Sequence, residues 1–175
     1  MTIKTIFLDR DGVINKEKNY LYKIEDFEFI NGVFEACRYF TNLEYKIIII
    51  TNQSGISRHF YTENDYVNLT KWMINQFNNN DVRILDIFHC PHGPKSNCNC
   101  RKPNPGMFLE AKTKYNIDMK SSWMIGDREN DIIAANNAGI HNTILVKSGH
   151  KVNEEKSNSK FIIESIYQSK EIIIS

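Results

Sequence analysis

The sequence predicts an α/β fold in which a mostly parallel β-sheet is flanked by helices. Short apolar runs rich in β-branched residues alternate with segments of helical periodicity along almost the whole chain. That alternation is typical of parallel strands joined by crossover helices. The length of 175 residues and the hydrophobic content of 41% suit one domain that buries roughly 70% of its unfolded surface. We therefore expect residues 1–175 to form a single domain.

The first part of the chain is expected to hold two strands and a helix. Ile3–Leu8 and Tyr45–Ile50 are almost continuously apolar, as expected of strands buried on both faces. Gly32–Leu43 lies between them and has apolar residues at helical spacing. A loop and this helix fill the segment between the two strands, so no large cap domain is expected there.

The middle of the chain is expected to hold a helix, a strand and a long loop. Thr62 and Asp65 form the Thr-x-x-Asp start of a capping box, and apolar residues at helical spacing continue to Phe77. Ile84–Phe88 is a short apolar run that predicts a strand. The loop Pro91–Pro105 is dense in Pro, Gly, Asn and Cys, a composition that interrupts regular structure.

Two strands and two helices are expected after this loop. Pro105–Tyr115 predicts a helix, because proline is favoured in the first helical turn. Ser122–Ile125 and Asn142–Val146 are apolar runs typical of buried strands. Glu129–Ala138 predicts a helix that Gly139 closes as a C-terminal cap.

The last part of the chain is less regular. Lys147–Lys160 is polar, and we expect a loose segment there. Phe161–Ser175 mixes strand and helix periodicities, so it is expected to dock on the sheet edge as either a strand or a helix.

The charge pattern argues against several classes of function. The 22 Lys and Arg residues nearly balance the 21 Asp and Glu residues, for a net charge of +1. With no basic run in the sequence, neither a nucleic acid nor an anionic membrane is expected as a partner. The apolar runs are far shorter than the ~20 residues of a membrane span, and no export signal is visible. We expect a cytoplasmic protein, and a monomer because no unpaired apolar stripe stands out.

Polar residues stand at the ends of three predicted strands. Asp9, Thr51 and Asp127 each follow directly after an apolar run. Parallel strands end at one edge of the sheet, where ligands bind in such folds, so these side chains are expected to meet in one crevice. Each is alternatively an N-cap of the next helix. An N-cap role does not explain the second carboxylate, Asp11, two residues after Asp9.

These carboxylates predict a magnesium site. Asp9, Asp11 and Asp127 supply hard oxygen ligands suited to Mg²⁺, with Asp131 one helical turn further on in a second shell. A bound cation also offsets the cost of burying unpaired carboxylates. Lys102 offers a fixed positive charge to the same crevice, unless it is an ordinary solvated lysine.

The long loop contains four zinc ligands by residue type. Cys90, His92, Cys98 and Cys100 occur in the pattern Cys-x-His-x5-Cys-x-Cys, and three cysteines with one histidine make a closed tetrahedral set. The one-residue gaps are shorter than those of zinc fingers. Two alternatives stay open: a disulfide, which a reducing setting disfavours, and His89 in place of His92.

Taken in order, the polar motifs resemble those of a known family. Asp9-x-Asp11-Gly, Thr51-Asn, Lys102-Pro and Gly-Asp127-x-x-x-Asp131 resemble the four motifs of the haloacid-dehalogenase-like (HAD-like) phosphohydrolases. The resemblance covers residues 6–146, and the ordered set is far more specific than any single motif. It implies a HAD-like Rossmannoid fold and a Mg²⁺-dependent phosphatase.

The resemblance also implies a role for each residue. Asp9 is the expected nucleophile, which forms an aspartyl phosphate, and Asp11 is the expected general acid and base. To donate a proton Asp11 must have a raised pKa, and we expect Asp9 and partial burial to raise it. Thr51 and Lys102 are expected to stabilise the transferring phosphoryl group.

Within this family the resemblance is closer to the phosphatases of D-glycero-D-manno-heptose 1,7-bisphosphate. Segment 20–30, the turn Gln53-Ser54-Gly55-Ile56 and the tripeptide Pro105-Gly106-Met107 carry it. It implies a phosphorylated sugar substrate, a place in nucleotide-heptose biosynthesis for lipopolysaccharide or other surface glycans, and a structural zinc in loop 90–100. The implied substrate contacts are Glu17, Lys18, Asn19, Tyr20, Asn52, Gln53, Ser54, Arg101 and Arg128.

Other functions stay open. The five-residue spacing between His92 and Cys98 also resembles histidinol-phosphate phosphatases. A non-catalytic zinc module that binds a phosphorylated ligand is an alternative of another class, although it needs no acid beside a nucleophile. A nucleic-acid 3′-phosphatase lacks support, because the charge pattern shows no basic groove.

Overall fold

A six-stranded sheet with helices on both faces forms the core of the computed structural model, which describes residues 2–174. The strands are β1 (Thr5–Leu8), β2 (Lys46–Asn52), β3 (Ile84–Cys90), β4 (Trp123–Gly126), β5 (Asn142–Val146) and β6 (Phe161–Ile163). The helices are α1 (Val33–Asn42), α2 (Glu63–Asn79), α3 (Gly106–Tyr115) and α4 (Glu129–Asn137), with 3-10 turns at Ile24–Asp26, Glu154–Lys156 and Ile166–Glu171.

The sheet has the strand order β3-β2-β1-β4-β5-β6, and neighbouring strands pair in parallel. The predicted α/β architecture is therefore confirmed. The chain leaves β1 for β2 on one side and later returns to β4 on the other. The carboxyl end of β1 is thus a topological switch point, where such sheets bind ligands.

Alternate residues of the central strands face two different layers. Ile6 and Leu8 of β1 pack with apolar residues of α1 and α2, whereas Phe7 packs with those of α3 and α4. Both faces of β1 are covered, which explains why its sequence is apolar without alternation. Between β1 and β2 the described chain forms only a loop, a 3-10 turn and α1, so the expected absence of a cap domain there is confirmed.

Local signals fix the helix ends as predicted. The Thr62 hydroxyl accepts the N–H of Asp65 at 3.1 Å, and the Asp65 carboxylate accepts the N–H of Thr62 at 2.8 Å. Gly139 follows α4 with a positive φ of 91°, a conformation that glycine adopts without steric cost.

The expectation of a loose segment at Lys147–Lys160 is wrong. The Ser148 hydroxyl donates to the Gly12 carbonyl at 2.7 Å, and the N–H of His150 donates to Asp127 at 3.0 Å. Further along, the Glu129 carboxylate accepts hydrogen bonds from residues 157 and 158. Periodicity could not reveal this anchoring, because the bonds join polar groups that are distant in sequence.

The C-terminal part contains both of the conformations expected there, a strand and a helical turn. Strand β6 extends the sheet edge, and the turn Ile166–Glu171 lies against α1, where Lys170 pairs with Glu35. Met1 and Ser175, the ends of the predicted domain, lie outside the described residues. Among residues 2–174, no helix combines the length and apolar character needed to cross a bilayer.

Candidate active site

Asp9 lies at the carboxyl end of β1, at the switch point of the sheet. Its N–H donates to the Ile125 carbonyl at 3.0 Å, which continues the pairing with β4 by one residue. The side chain is buried, and its Oδ1 lies 3.0 Å from Nζ of Lys102. Burial, followed by the charge of Asp131, raises the pKa of Asp9 well above its usual range, and Lys102 partly offsets this shift.

Lys102 reaches Asp9 from the long loop and is buried, so the alternative of a solvated lysine is wrong. Its Nζ also lies 2.6 Å from Asp131 and donates to the Ile50 carbonyl at 2.8 Å. Burial disfavours the charge, but the two carboxylates outweigh burial and raise the pKa of Lys102. The Asn52 side chain holds the Lys102 main chain through two hydrogen bonds of 3.1 Å, which fixes the loop to the end of β2.

Asp127 and Asp131 flank the start of α4. Oδ2 of Asp131 accepts the N–H groups of Asp127 and Arg128, at 3.1 and 3.0 Å. Asp127 is buried, and its Oδ2 lies 2.6 Å from Nδ1 of His150. Burial, with a contribution from Asp131, raises the pKa of Asp127 to about 7.

Three of these carboxylates form a set suited to a divalent cation. Oxygen atoms of Asp9, Asp127 and Asp131 lie within 4.8 Å of one another. Oδ1 of Asp127 is buried without a hydrogen-bond partner among the described residues, and an oxygen in that position is costly unless a ligand binds it. Both oxygens of Asp131 are bonded to protein groups, so Asp9 and Asp127 offer the free ligand atoms. These donors fit Mg²⁺.

Asp11 does not join this set. Its carboxylate accepts hydrogen bonds from Arg10 at 3.0 and 3.1 Å and from Asn15 at 3.0 Å. Burial favours the neutral acid, but Arg10 and the other donors outweigh it, so the pKa of Asp11 is lowered. The expectation of a raised pKa is therefore wrong, because it left out the buried guanidinium next to Asp11 in sequence.

Thr51 and Gln53 form a hydrogen-bonded layer at the end of β2. Nε2 of Gln53 donates to Thr51 Oγ1 at 2.9 Å and to Asp11 Oδ2 at 3.2 Å. Its Oε1 accepts the Tyr61 hydroxyl at 2.5 Å. Thr51 is buried and does not line the cavity described next.

A cavity of about 280 Å³ brings most of the predicted residues together. Predicted site residues on its wall are Asp9, Asp11, Glu17, Asn19, Tyr20, Asn52, Gln53, Ser54, Arg101, Lys102, Asp127, Arg128 and Asp131. Lys18 does not line it, because its Nζ is turned to Glu28 at 2.5 Å. Two short loops border the cavity, one through Glu17, Asn19 and Tyr20 and the other through Gln53, Ser54 and Arg58, which agrees with the expected open crevice.

Sequence reasoning missed several residues of this cavity, among them Arg58, Tyr61 and His150. Arg58 lies over the Tyr20 ring at 5.7 Å. Arg58 and Tyr61 follow the quoted Gln53-Ser54-Gly55-Ile56 turn closely, so extending that motif along the chain would have found both. His150 carries no sequence signal, since it stands alone in a polar stretch.

A cluster of three cysteines and one histidine lies in the same long loop as Lys102. The ligand atoms of Cys90, His92, Cys98 and Cys100 all lie within 4.8 Å of one another. Cys90 Sγ lies 3.5 Å from His92 Nδ1, 3.7 Å from Cys98 Sγ and 3.0 Å from Cys100 Sγ. Zinc bonds of ~2.0–2.3 Å at tetrahedral angles separate ligand atoms by roughly 3.4–3.8 Å, so this donor set fits Zn²⁺ after small adjustments.

The structure shows neither of the two alternatives for this cluster. All of the cysteines are free thiols, so the disulfide is absent from residues 2–174. His89 points away from the cluster, where its Nε2 lies 2.6 Å from Glu63 and its ring packs on Tyr66. Burial opposes ionisation of Cys98, but the N–H of Arg101 and neighbouring donors lower its pKa to about 6. Burial raises the pKa of Cys90 and Cys100, so Cys98 is the thiol of this cluster that ionises most readily.

The chain is similar to known phosphatases along most of its length. The HAD-hydrolase-like family model matches residues 99–169. A D-glycero-alpha-D-manno-heptose-1,7-bisphosphate 7-phosphatase of Photorhabdus laumondii is 51% identical over 90% of each chain. The D-glycero-beta-D-manno-heptose-1,7-bisphosphate 7-phosphatase of the same organism is 41% identical over 92% of this chain and 89% of its own.

A solved structure is similar over nearly the whole chain. It is the D,D-heptose 1.7-bisphosphate phosphatase from B. bronchiseptica, complexed with magnesium and phosphate. The two structures superimpose with a TM-score of 0.84 at 28% sequence identity, over 97% of each chain. The two chains therefore share one fold over nearly their whole length.

Proposed function

We infer that this chain, which belongs to the D-glycero-D-manno-heptose-1,7-bisphosphate 7-phosphatases of the HAD-like superfamily, removes the 7-phosphate of that bisphosphate in a Mg²⁺-dependent reaction. As a member of this family it is a phosphoric monoester hydrolase. The contact that carries the proposal is the 3.0 Å pair of Lys102 and Asp9, in a cavity whose wall also holds Asp11 and Asp127.

Asp9 and Asp127 are the proposed Mg²⁺ ligands, with Asp131 behind them. Asp11 stays a predicted ligand, although its carboxylate is turned towards Arg10. When bound, the ion supplies positive charge that offsets the charge of the phosphate group.

In the first half-reaction, an oxygen of Asp9 attacks phosphorus, and the bond between phosphorus and the sugar oxygen breaks. Asp11 gives its proton to that leaving oxygen. Arg10 favours ionised Asp11, but the dianionic phosphate group of an entering substrate raises the pKa of Asp11 in opposition to Arg10. Lys102 stabilises the negative charge of the transferring group next to Asp9.

In the second half-reaction, ionised Asp11 takes a proton from water as the water oxygen attacks the aspartyl phosphate. The bond between phosphorus and Asp9 breaks, and inorganic phosphate and the free Asp9 carboxylate result. Thr51 is proposed to assist through its hydroxyl group, with Gln53 donating to Oγ1 at 2.9 Å.

We propose that Cys90, His92, Cys98 and Cys100 bind one structural Zn²⁺. Four protein ligands leave no open position for chemistry, so the ion acts on folding of the loop. Arg101, which follows Cys100 directly, donates to the His92 carbonyl at 3.1 Å. Zinc in this loop would therefore fix the positions of Arg101 and the adjacent Lys102.

Arginines are proposed to bind the second, non-reacting phosphate. Arg58, Arg101 and Arg128 all line the cavity, and their planar donor groups pair with phosphate oxygens through two parallel hydrogen bonds. Residues at the cavity rim, such as Asn19 and Tyr20, are proposed to contact the sugar.

We propose the α-anomer of the bisphosphate as the preferred substrate. In one organism, the relative named for the α-anomer is 51% identical to this chain and the relative named for the β-anomer is 41% identical. The product would be a heptose 1-phosphate, ready for nucleotide activation in the synthesis of lipopolysaccharide or other surface glycans. One chain supplies every residue named, so we propose that a monomer suffices. We also propose a cytoplasmic location.

The test compares kcat/KM for the two anomers and for histidinol phosphate, with and without Mg²⁺. A preference for the α-anomer of at least about tenfold, or ~1.4 kcal/mol, supports the proposal. A preference for the β-anomer overturns the anomer assignment, and a preference for histidinol phosphate overturns the heptose. Binding of phosphate without turnover identifies the non-catalytic module instead.

A further inference from the structure

A buried chain of hydrogen bonds leads from Tyr61 to two of the proposed catalytic residues. The Tyr61 hydroxyl donates to Oε1 of Gln53 at 2.5 Å, and Nε2 of Gln53 donates to both Thr51 and Asp11. Tyr61 and Gln53 are only 6% and 2% exposed. Buried polar groups at this depth are costly to leave unpaired, so the order of donors and acceptors along the chain is strongly determined.

We propose that Tyr61 is a positioning residue that acts through Gln53 to hold Asp11 and Thr51 in their reactive arrangement. The inference rests on the proposed roles of Asp11 and Thr51. Tyr61 itself need not touch the reacting atoms, because its hydroxyl group is already used by Gln53.

The physical basis is the orientation of the Gln53 amide. An amide side chain can turn over and exchange its oxygen and nitrogen positions. In the turned state Oε1 would face the Asp11 carboxylate, where two acceptors repel each other, and Thr51 would lose its donor. The Tyr61 hydroxyl opposes this turn, because as a donor it needs Oε1 on its own side.

Burial keeps Tyr61 in the donor form. It raises the pKa of the Tyr61 hydroxyl to about 12, so the proton is retained at neutral pH. Since Gln53 occupies one lone pair of Thr51 Oγ1, the Thr51 hydroxyl proton is left to donate elsewhere, and a phosphoryl oxygen is the proposed acceptor.

Packing fixes the Tyr61 ring independently of its hydroxyl. A Cβ atom on Gly55 would lie 2.1 Å from Cε1 of Tyr61, so only glycine lets the ring lie where it does. The Tyr22 ring also stacks on Tyr61, with centroids 5.4 Å apart. Removing the hydroxyl alone should therefore leave the ring in place.

Tyr61→Phe is expected to lower kcat by about five- to twentyfold while KM stays within about twofold. In a Gln53→Ala background Tyr61→Phe should have no further effect on kcat, because the side chain that links Tyr61 to Asp11 and Thr51 is already absent. Tyr22→Phe is the matched control and should keep kcat within about twofold. Gly55→Ala displaces the Tyr61 ring and should lower kcat in the same direction, which provides a second variant if Tyr61→Phe fails to fold.

Three results would overturn the inference. The first is an unchanged kcat in Tyr61→Phe or Gly55→Ala. The second is a loss of kcat from Tyr61→Phe that is equally large in the Gln53→Ala background. The third is a raised KM with normal kcat in Tyr61→Phe, which assigns the hydroxyl to direct substrate binding. Every variant is assayed with whichever phosphate ester the wild-type chain hydrolyses best. Wild-type activity on the heptose bisphosphate is measured separately, so failure of the proposed function is distinguished from failure of this inference.

Discussion

Nζ of Lys102 lies 3.0 Å from Oδ1 of Asp9, and the same ammonium group lies 2.6 Å from Asp131. With the Ile50 carbonyl at 2.8 Å, all three ammonium protons have an acceptor. One buried cation thus compensates two buried carboxylates. Substitution of Lys102 should therefore lower the stability of the protein, whereas substitution of Asp9 should not.

Lys102→Met is expected to lower the free energy of unfolding by about 3 kcal/mol and to abolish phosphate release. The substitution keeps the length of the side chain but leaves Asp9 and Asp131 buried without their cation, a loss that typically costs about 3–5 kcal/mol. Urea denaturation and a phosphate-release assay measure the two effects. Lys112→Met, on the exposed face of α3, is the matched control and should stay within about 0.5 kcal/mol of wild type. A Lys102→Met protein of wild-type stability would show that the cation does not compensate the carboxylates.

Asp9→Asn is expected to abolish turnover and to leave stability equal or higher. The amide is a poor nucleophile, so kcat should fall by at least about 10⁴-fold. Stability should not fall, because the change removes one negative charge from a site where Asp127 and Asp131 already repel it. Thermal melts and single-turnover assays make the comparison, with exposed Asp26→Asn as the control. A purified Asp9→Asn enzyme with wild-type activity would rule out Asp9 as nucleophile.

The contact of Glu28 with Lys16 and Lys18 predicts a pH dependence. The ammonium groups lie 2.7 and 2.5 Å from its carboxylate, and their hydrogen bonds and charges lower the pKa of Glu28 to about 2. A carboxylate whose pKa is lowered by folding stabilises the folded protein at pH values above its unfolded pKa of ~4.3. That contribution disappears as the pH falls towards the pKa of the folded state.

Glu28→Gln should therefore be less stable than wild type at pH 6 and low salt, with the difference closing between about pH 4.5 and pH 2. The effect is small and falls with added salt, because all three side chains are exposed to a large extent. Denaturation of both proteins at each pH gives the difference directly, and Glu25→Gln serves as the exposed control. A difference that stays constant down to pH 2 would contradict the assignment.

The positions of Asp9 and Asp127 followed from the sequence because they depend on topology. Parallel strands end at the same edge, so a carboxylate after each of two neighbouring strands must come close to the other. The order of the motifs identified the other side chains of the site. Lys102 was among them, and the structure shows that it is buried. The cluster of three cysteines and one histidine could also be predicted from the sequence, because its ligands lie within one short loop.

The environment of each carboxylate could not be predicted in the same way. Asp11 was expected to be neutral because of Asp9, but Arg10 turns inwards and pairs with it, and sequence does not tell on which side of the chain a neighbouring side chain lies. His150 reaches Asp127 only through tertiary folding of a polar segment. Residues that act through a single long-range contact therefore escaped motif and periodicity arguments.

Cys98→Ala is expected to remove bound zinc and to lower both the melting temperature and kcat. Three ligands bind zinc far more weakly than four, and much of the loop's stability would come from the metal. The loss should reach the active site because Arg101 and Lys102 follow the last ligand, Cys100, directly in sequence. Metal analysis of protein purified without any chelator should give about one zinc ion per wild-type chain. Cys98→Ala should contain less than about half a zinc ion per chain.

Cys37→Ala separates zinc loss from the general effect of removing a thiol. Cys37 is buried in α1, far along the chain from the cluster and outside its ligand set. Its replacement should cost about 1 kcal/mol of stability through a small cavity, yet keep zinc and kcat at wild-type levels. Retention of zinc by Cys98→Ala, or its absence from wild-type protein, would show that the four ligand atoms meet for packing alone. In that case Asn52, which clamps the Lys102 main chain from β2, would be the group that positions the lysine.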